Sequence, residues 1–249
     1  MFSKNITVDK ILRGKISIIQ FKKGFRYGFD TVFLAAYVNG YLKKFKKRKF
    51  LLADVGSGVG TISLIIAYKN DEINITAIEN NDSYLEIANE NIIRNNLQKK
   101  INLMQRDIFN IDNDLINKFD IVVTNPPFYD QQQKRSANEL DNYAKRIINY
   151  ESWIENSVKL LKDKGIIFLI IPTGLLEKSL KFLSTKTGSF KIFPIWPNQK
   201  KSSKRLILLA KKGGVSPTEL MPGMRLLNNR GKITKKARTY SDNGIFTFL

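Results

Sequence analysis

The chain has 249 residues, with 42 Lys and Arg against 22 Asp and Glu, no Cys and no His, and a formal charge of +20. This excludes disulfides, thiol and imidazole nucleophiles, imidazole bases and His- or Cys-ligated metal sites, leaving carboxylates, Lys, Tyr, hydroxyls, amides and backbone for any chemistry. The charge points to an anionic partner, nucleic acid being the commonest, although a composition rich in Lys, Asn and Ile is also what an A+T-rich genome produces.

The first residues, Met1 to Ile6, lead into no signal-peptide core. The most continuous apolar run, Ile166 to Ile171, is far short of the roughly 20 residues of a membrane span. A cytoplasmic protein without a membrane partner is expected. Phe50 to Asp54 reads as a short buried strand, followed by a glycine turn and an apolar helix from Thr61 to Tyr68. Ile73 to Glu79 is a second strand. Asp82 is the expected N-cap of the next helix, in which Leu85, Ala88 and Ile92 recur at helical spacing. Ile101 to Gln105 and Phe119 to Thr124 are the third and fourth strands. Asp130 to Tyr150 is polar and reads as a loop or weak helix over the site. Ser152 to Leu161 reads as a helix, Gly165 to Ile171 as the fifth strand and Leu175 to Leu183 as a helix. Phe190 to Ile195 and Leu206 to Ala210 are two late strands. Strands alternating with helices predict an α/β fold with a mostly parallel sheet and helices on both faces.

Such folds bind ligands beyond the carboxyl ends of their strands. Asp54, Glu79, Asp107 and Asn125 all fall at or just past expected strand ends and should converge on one crevice. Asn125-Pro126-Pro127-Phe128-Tyr129 is the most informative segment. Two successive prolines fix φ and remove two N–H groups, and each biases the residue before it away from the helical region. A stiff turn then presents the Asn125 side-chain carbonyl and neighbouring backbone carbonyls as acceptors, with Phe128 as a flat apolar face. That is a receptor for a planar amine, best fitted by a nucleobase. A plain turn after a strand uses the same residues.

The glycine turn spaces Gly56, Gly58 and Gly60 as G-x-G-x-G, with Ser57 inside it and Asp54 just ahead. An anion there is a poor neighbour for a pyrophosphate and a good one for a cationic ligand. Glu79 stands where nucleotide folds place the acid that accepts from ribose hydroxyls. A cationic, ribose-bearing cofactor is S-adenosylmethionine. The other reading is a tight strand-to-helix turn holding no ligand.

These residues, with Phe25 to Ala35 upstream, resemble class I S-adenosylmethionine-dependent methyltransferases acting on amino groups. Within them, the chain is most similar to the tRNA (adenine-N6) methyltransferases that modify position 37 of a valine tRNA. The likeness spans roughly residues 20 to 210. It implies a Rossmann-like sheet of seven strands, the last in sequence antiparallel beside the fifth. It implies one methyltransferase domain over residues 1–249, with 1–49 as an extension over the cofactor site and 215–249 as a tail packed on or beside the domain. It implies that Asp54, Gly56, Ser57, Gly58 and Gly60 hold the methionine part, and that Tyr27 and Asp30 close that end. Glu79 is assigned to the ribose and Asp107 and Ile108 to the cofactor's adenine, with Asn80 and Asn125 also counted among the cofactor's contacts. Asn125 and the Pro126 carbonyl grip the target amine, Pro127 stiffens the turn, and Phe128 stacks on the target base.

Basic residues should hold the RNA. Lys200, Lys201, Lys204 and Arg205, between two late strands, are the favoured contacts, with Lys134 and Arg135 in the polar loop. Lys235, Lys236 and Arg238 are further candidates. Lys43, Lys44, Lys46, Lys47, Arg48 and Lys49 precede the first strand, at its amino end, and read as a solvated face. The alternatives are rRNA guanine-N2 methylation, protein glutamine-N5 methylation, and an RNA-binding module that keeps the fold without its cofactor. Phe128 disfavours the glutamine enzymes, which carry Tyr there. Tyr129 disfavours the guanine enzymes, which often carry His.

Overall fold

The computed structural model describes residues 5–24, 26–45, 48–127 and 150–247. The seven expected strands are all formed: β3 (Phe50–Val55), β4 (Ile73–Glu79), β5 (Ile101–Gln105), β6 (Phe119–Thr124), β7 (Leu161–Pro172), β8 (Thr187–Trp196) and β9 (Arg205–Lys212). They lie in the order β8-β9-β7-β6-β3-β4-β5, with β9 antiparallel to both neighbours and the β7-β6-β3-β4-β5 run parallel. The antiparallel strand beside the fifth expected strand is therefore where the resemblance implied. Two two-residue strands, β10 (Glu219–Leu220) and β11 (Met224–Arg225), add to β8 and widen the sheet to nine strands among the described residues.

Helices cover both faces, so the central strands are apolar on both sides. Phe168 and Ile170 of β7 join the core on one face, while Ile167, Leu169 and Ile171 join that on the other. The first face carries α1 (Phe29–Leu42), α2 (Thr61–Lys69), α3 (Asp82–Arg94) and α6 (Lys235–Asn243). The second carries α4 (Tyr150–Lys159) and α5 (Leu176–Leu183). Helix α1 is buried continuously from Thr31 to Gly40, enclosed by α2, α6 and β7. Its Phe33 is fully buried, and deleting such a ring costs about 3–5 kcal/mol.

Two expectations are corrected, and one pair of strands is new. Asn81, not Asp82, caps α3: its Oδ1 accepts from Tyr84 N at 3.2 Å, and Asp82 is already helical. The helix at 152–161 ends at Lys159, and Leu161 opens β7, where it pairs with Phe119. Ahead of α1 stands a hairpin absent from the sequence reading, β1 (Ile6–Ile11) against β2 (Ile16–Phe21). Asn91 of α3 and Asn95, which caps the end of α3, seat it. Asn91 Oδ1 accepts from Ile19 N at 2.6 Å, while its Nδ2 donates to Ile19 O at 2.9 Å and Val59 O at 3.0 Å. Asn95 bonds the backbone of Ser17 in the same two-way manner.

Candidate active site

The carboxyl ends of β3, β4, β5 and β6 lie side by side. After β3 the chain turns through Gly56 (φ 70°), Gly58 (φ 54°) and Gly60 (φ 83°), conformations that L-residues rarely adopt. Gly56 N and Ser57 N both donate to Ile78 O, at 2.9 and 3.0 Å, which lashes the turn to β4. Gly60 N closes it onto Ser57 O at 2.9 Å, and Gly60 caps α2. A Cβ on Gly56 would stand 2.8 Å from the Trp153 ring, whereas one on Gly58 would meet no atom within 4 Å. The turn is therefore packed at its first glycine and open at its second.

Asp54 is fully buried. Its Oδ2 accepts from Ser63 N at 3.1 Å and Ser63 Oγ at 2.7 Å, while Oδ1 has no protein partner. Burial pushes its carboxyl up to about 7, against the opposing pull of Ser63. The buried hydroxyls of Ser57 and Thr61 in the same turn are likewise without a partner. Leaving such groups unmatched costs about 1–3 kcal/mol each. A ligand with an ammonium and a carboxylate would satisfy them, so the donor set fits the methionine part of S-adenosylmethionine.

Glu79 closes β4. Its Oε2 accepts from Gly58 N at 2.9 Å, and its Oε1 from Asn80 N and Asn81 N at 3.0 and 3.1 Å. Burial raises its pKa, and these three backbone donors oppose the rise. The Glu79 carboxylate is thus fixed against the glycine turn. A carboxylate has about four acceptor positions, so capacity remains beyond those three bonds. Asn80 is exposed and contributes its backbone here. Past β5, Asp107 is exposed and accepts from Phe109 N at 3.0 Å, beside the buried Ile108.

On β6, Thr124 pairs with Val55, so Asn125 begins one strand spacing from Gly56. Thr124 Oγ1 donates to Val55 O at 2.9 Å and accepts from Trp153 Nε1 at 3.0 Å. Trp153 therefore touches both turns, packing on Gly56 and bonding the residue before Asn125. Phe109 meets its edge at 6.0 Å. Asn125 and Pro127 are half-buried and Pro126 is buried. Phe128, Tyr129, Lys134 and Arg135 lie outside the described residues.

Asp30, in the first turn of α1, accepts from Arg205 Nε at 2.7 Å. Tyr27 donates its N–H to Gln20 Oε1 at 3.2 Å, and burial raises its phenol pKa. Lys200, Lys201 and Lys204 are exposed at the carboxyl edge of the sheet, because antiparallel β9 begins there opposite Pro172. Arg48 lies at the opposite edge, 3.7 Å from Asp120 and over the Phe50 ring.

Trp153, Ser63 and Asn91 are the members that sequence reasoning missed as parts of the site. A lone hydroxyl inside the apolar run Ile62 to Ala67 is the only sequence signal among them.

A model of the methyltransferase small domain matches residues 39–193. The chain belongs to this family. Among curated methyltransferase relatives, a tRNA1(Val) (adenine(37)-N6)-methyltransferase of a Flavobacteriaceae bacterium is 27% identical over 197 residues, 78% of this chain and 80% of that protein. One from Bacteroides thetaiotaomicron is 24% identical over 88% of this chain and 84% of its own length. One from Histophilus somni reaches 31% over 66% of each. Of solved methyltransferase structures, a predicted O-methyltransferase from Agrobacterium tumefaciens superposes with a TM-score of 0.71 at 18% identity. The match covers 88% of this chain and 98% of that one. TYW2 of M. jannaschii, solved with AdoMet, gives 0.57 at 13% identity over 84% and 86%. Both structural likenesses concern the fold. Among the described residues no helix is long and apolar enough to cross a membrane.

Proposed function

We propose that the protein methylates the exocyclic 6-amino group of an adenine in tRNA, at position 37 of tRNA1(Val), using S-adenosylmethionine. The observation that carries this is the pairing of Val55 with Thr124, which sets the glycine turn beside the Asn125-Pro126-Pro127 turn. A site for a cationic nucleoside and a cradle for a planar amine then share one crevice. The names of the curated relatives support the choice of adenine and of tRNA.

When bound, S-adenosylmethionine supplies a methyl group already activated on sulfonium. Asp54, Ser57 and the turn amides would hold its methionine end, with Tyr27 and Asp30 beside them in the extension at 1–49. Glu79 and Asn80 would take the ribose, and Asp107 and Ile108 the adenine.

An adenine amine is a poor nucleophile because its lone pair is delocalised into the ring. Asn125 Oδ1 and the Pro126 carbonyl, each accepting one N–H, favour a pyramidal nitrogen with a localised lone pair. Those bonds strengthen toward the transition state, which is the condition for catalysis. Positioning supplies the rest. The surplus proton on the methylated amine departs to water, so a chain without His or Cys suffices. Phe128 would stack on the target base, and the Lys200–Lys204 loop would hold the RNA backbone, with Lys134 and Arg135.

The deciding experiment incubates the protein with methyl-labelled S-adenosylmethionine and unmodified total tRNA, then maps the labelled nucleoside. Label in N6-methyladenosine at position 37 is expected. Label that appears only with rRNA or a protein acceptor overturns the substrate.

A further inference from the structure

At the carboxyl edge of the sheet, away from the crevice, a cleft of about 560 Å³ opens between the end of β8 and the chain that follows β10. Its walls are fixed by backbone bonds. Arg225 pairs with Trp196 in the ladder, Leu226 N donates to Trp196 O at 2.8 Å, and Leu227 N donates to Pro197 O at 2.9 Å. Thr234 Oγ1 then accepts from Ala237 N to cap α6 and donates to Arg225 O at 2.8 Å. Gly223 makes the close approach possible. It has φ 76°, and a Cβ there would stand 2.2 Å from Pro194 O and 3.0 Å from Trp196 Nε1.

The lining pairs a half-buried indole, Trp196, with two cations, Arg225 and Lys236, and two amides, Asn198 and Gln199. It contains no carboxylate. Asn198 Oδ1 is already taken by Lys200 N at 2.9 Å, leaving its amide N–H groups as donors. Aromatic face, cations and amide donors together match one unpaired nucleotide: stacking for the base, charge for its phosphates, hydrogen bonds for its edge. Exposed Lys200 and Lys201 directly follow the lining residue Gln199 in the chain. It lies three strand spacings from β6, about 14 Å.

We propose that this cleft is a second RNA subsite. It takes a single-stranded nucleotide of the same RNA whose adenine reaches Asn125, and so sets which base arrives there. The inference rests on RNA being the substrate, as proposed above, and adds a specificity site remote from the reacting amine.

The test uses the full chain and an unmodified tRNA1(Val) transcript. Trp196→Ala and the double variant Arg225→Ala, Lys236→Ala are compared with wild type in methylation kinetics and in anisotropy with the fluorescein-labelled transcript. The expected result is a KM and an RNA Kd raised about tenfold, with kcat at saturating RNA within about twofold. Trp196→Phe, which keeps a stacking ring, should recover most of the affinity. An S-adenosylmethionine Kd unchanged in calorimetry certifies the fold of each variant. Wild-type Kd and KM in both variants overturn the subsite. If wild type itself leaves the transcript unmethylated, the proposed reaction fails, and the anisotropy comparison still decides the cleft: weakened binding supports it and equal binding overturns it.

Discussion

Arg205 Nε donates to Asp30 Oδ2 across 2.7 Å, tying the start of β9 to the first turn of α1. A residue assigned to RNA and one assigned to the cofactor thus neutralise each other. Their side chains are 40% and 36% exposed, and ion pairs of that exposure contribute about 0–1 kcal/mol. Arg205→Ala should therefore cost at most about 1 kcal/mol in urea melts. It should also weaken tRNA binding less than Lys200→Ala with Lys201→Ala does. A larger loss for Arg205→Ala in filter binding would mean that RNA breaks the pair.

Asn125→Ala should leave S-adenosylmethionine affinity at the wild-type value and lower kcat by about 10²–10³-fold, the usual cost of one transition-state hydrogen bond. Calorimetry and single-turnover methylation separate the two effects. Unchanged turnover would sink the role given to Asn125.

Trp153→Phe keeps an aromatic ring against Gly56 but removes the N–H that Thr124 Oγ1 accepts. Stability should fall by about 1–2 kcal/mol. Because Thr124 precedes Asn125, kcat should fall by about tenfold while cofactor Kd and RNA KM hold, since small misplacements cost rate. A variant that unfolds at lower urea yet turns over normally would make Trp153 purely structural.

The glycines of the turn should separate folding from binding. Gly56→Ala pushes a Cβ into Trp153 at 2.8 Å and should be strongly destabilising. Gly58→Ala meets open space, so its cost is the left-handed backbone alone, about 1–2 kcal/mol. Its methyl should instead obstruct the ligand. The expected outcome is a folded Gly58→Ala protein with sharply reduced cofactor affinity, measured by thermal melts and calorimetry.

Asp54 should make both stability and cofactor binding depend on pH. Its folded pKa is raised from 3.8 to about 7 by burial, so between those values the folded state binds the extra proton. Stability from this group is present at acid pH and is lost as pH rises through 7. A cationic ligand prefers the ionised form, so S-adenosylmethionine affinity should rise from pH 6 to pH 8. Asp54→Asn should flatten both trends in melts and calorimetry.

The strands were readable because a parallel sheet covered on both faces needs uninterrupted apolar runs, such as Ile166 to Ile171. Asp54 could be placed because it follows the apolar run Phe50 to Ala53, and Glu79 and Asp107 because each stands at or just past the end of a strand with alternating or broken apolar pattern. The β1–β2 hairpin escaped because two of its three left-handed turn positions are Leu12 and Arg13, leaving Gly14 alone to announce the turn. Strands β10 and β11 are two residues long and exist through pairing with β8, so they carry no periodicity. Asn91 and Asn95 look like the polar side of an amphipathic helix. Only the hairpin's backbone groups, 72 and 78 residues away in sequence, reveal why they are turned inward.

The position of β9 has a consequence for biosynthesis. It fills the gap between β7 and β8, yet it is made after both. Until the ribosome has released residue 212, the Ile166–Ile171 edge and the facing edge of β8 have no strand between them. A nascent chain stalled before Arg205 would therefore display two unpaired sheet edges, the kind of surface that aggregates or recruits chaperones. The vulnerable interval in making this protein is the one before β9 is complete.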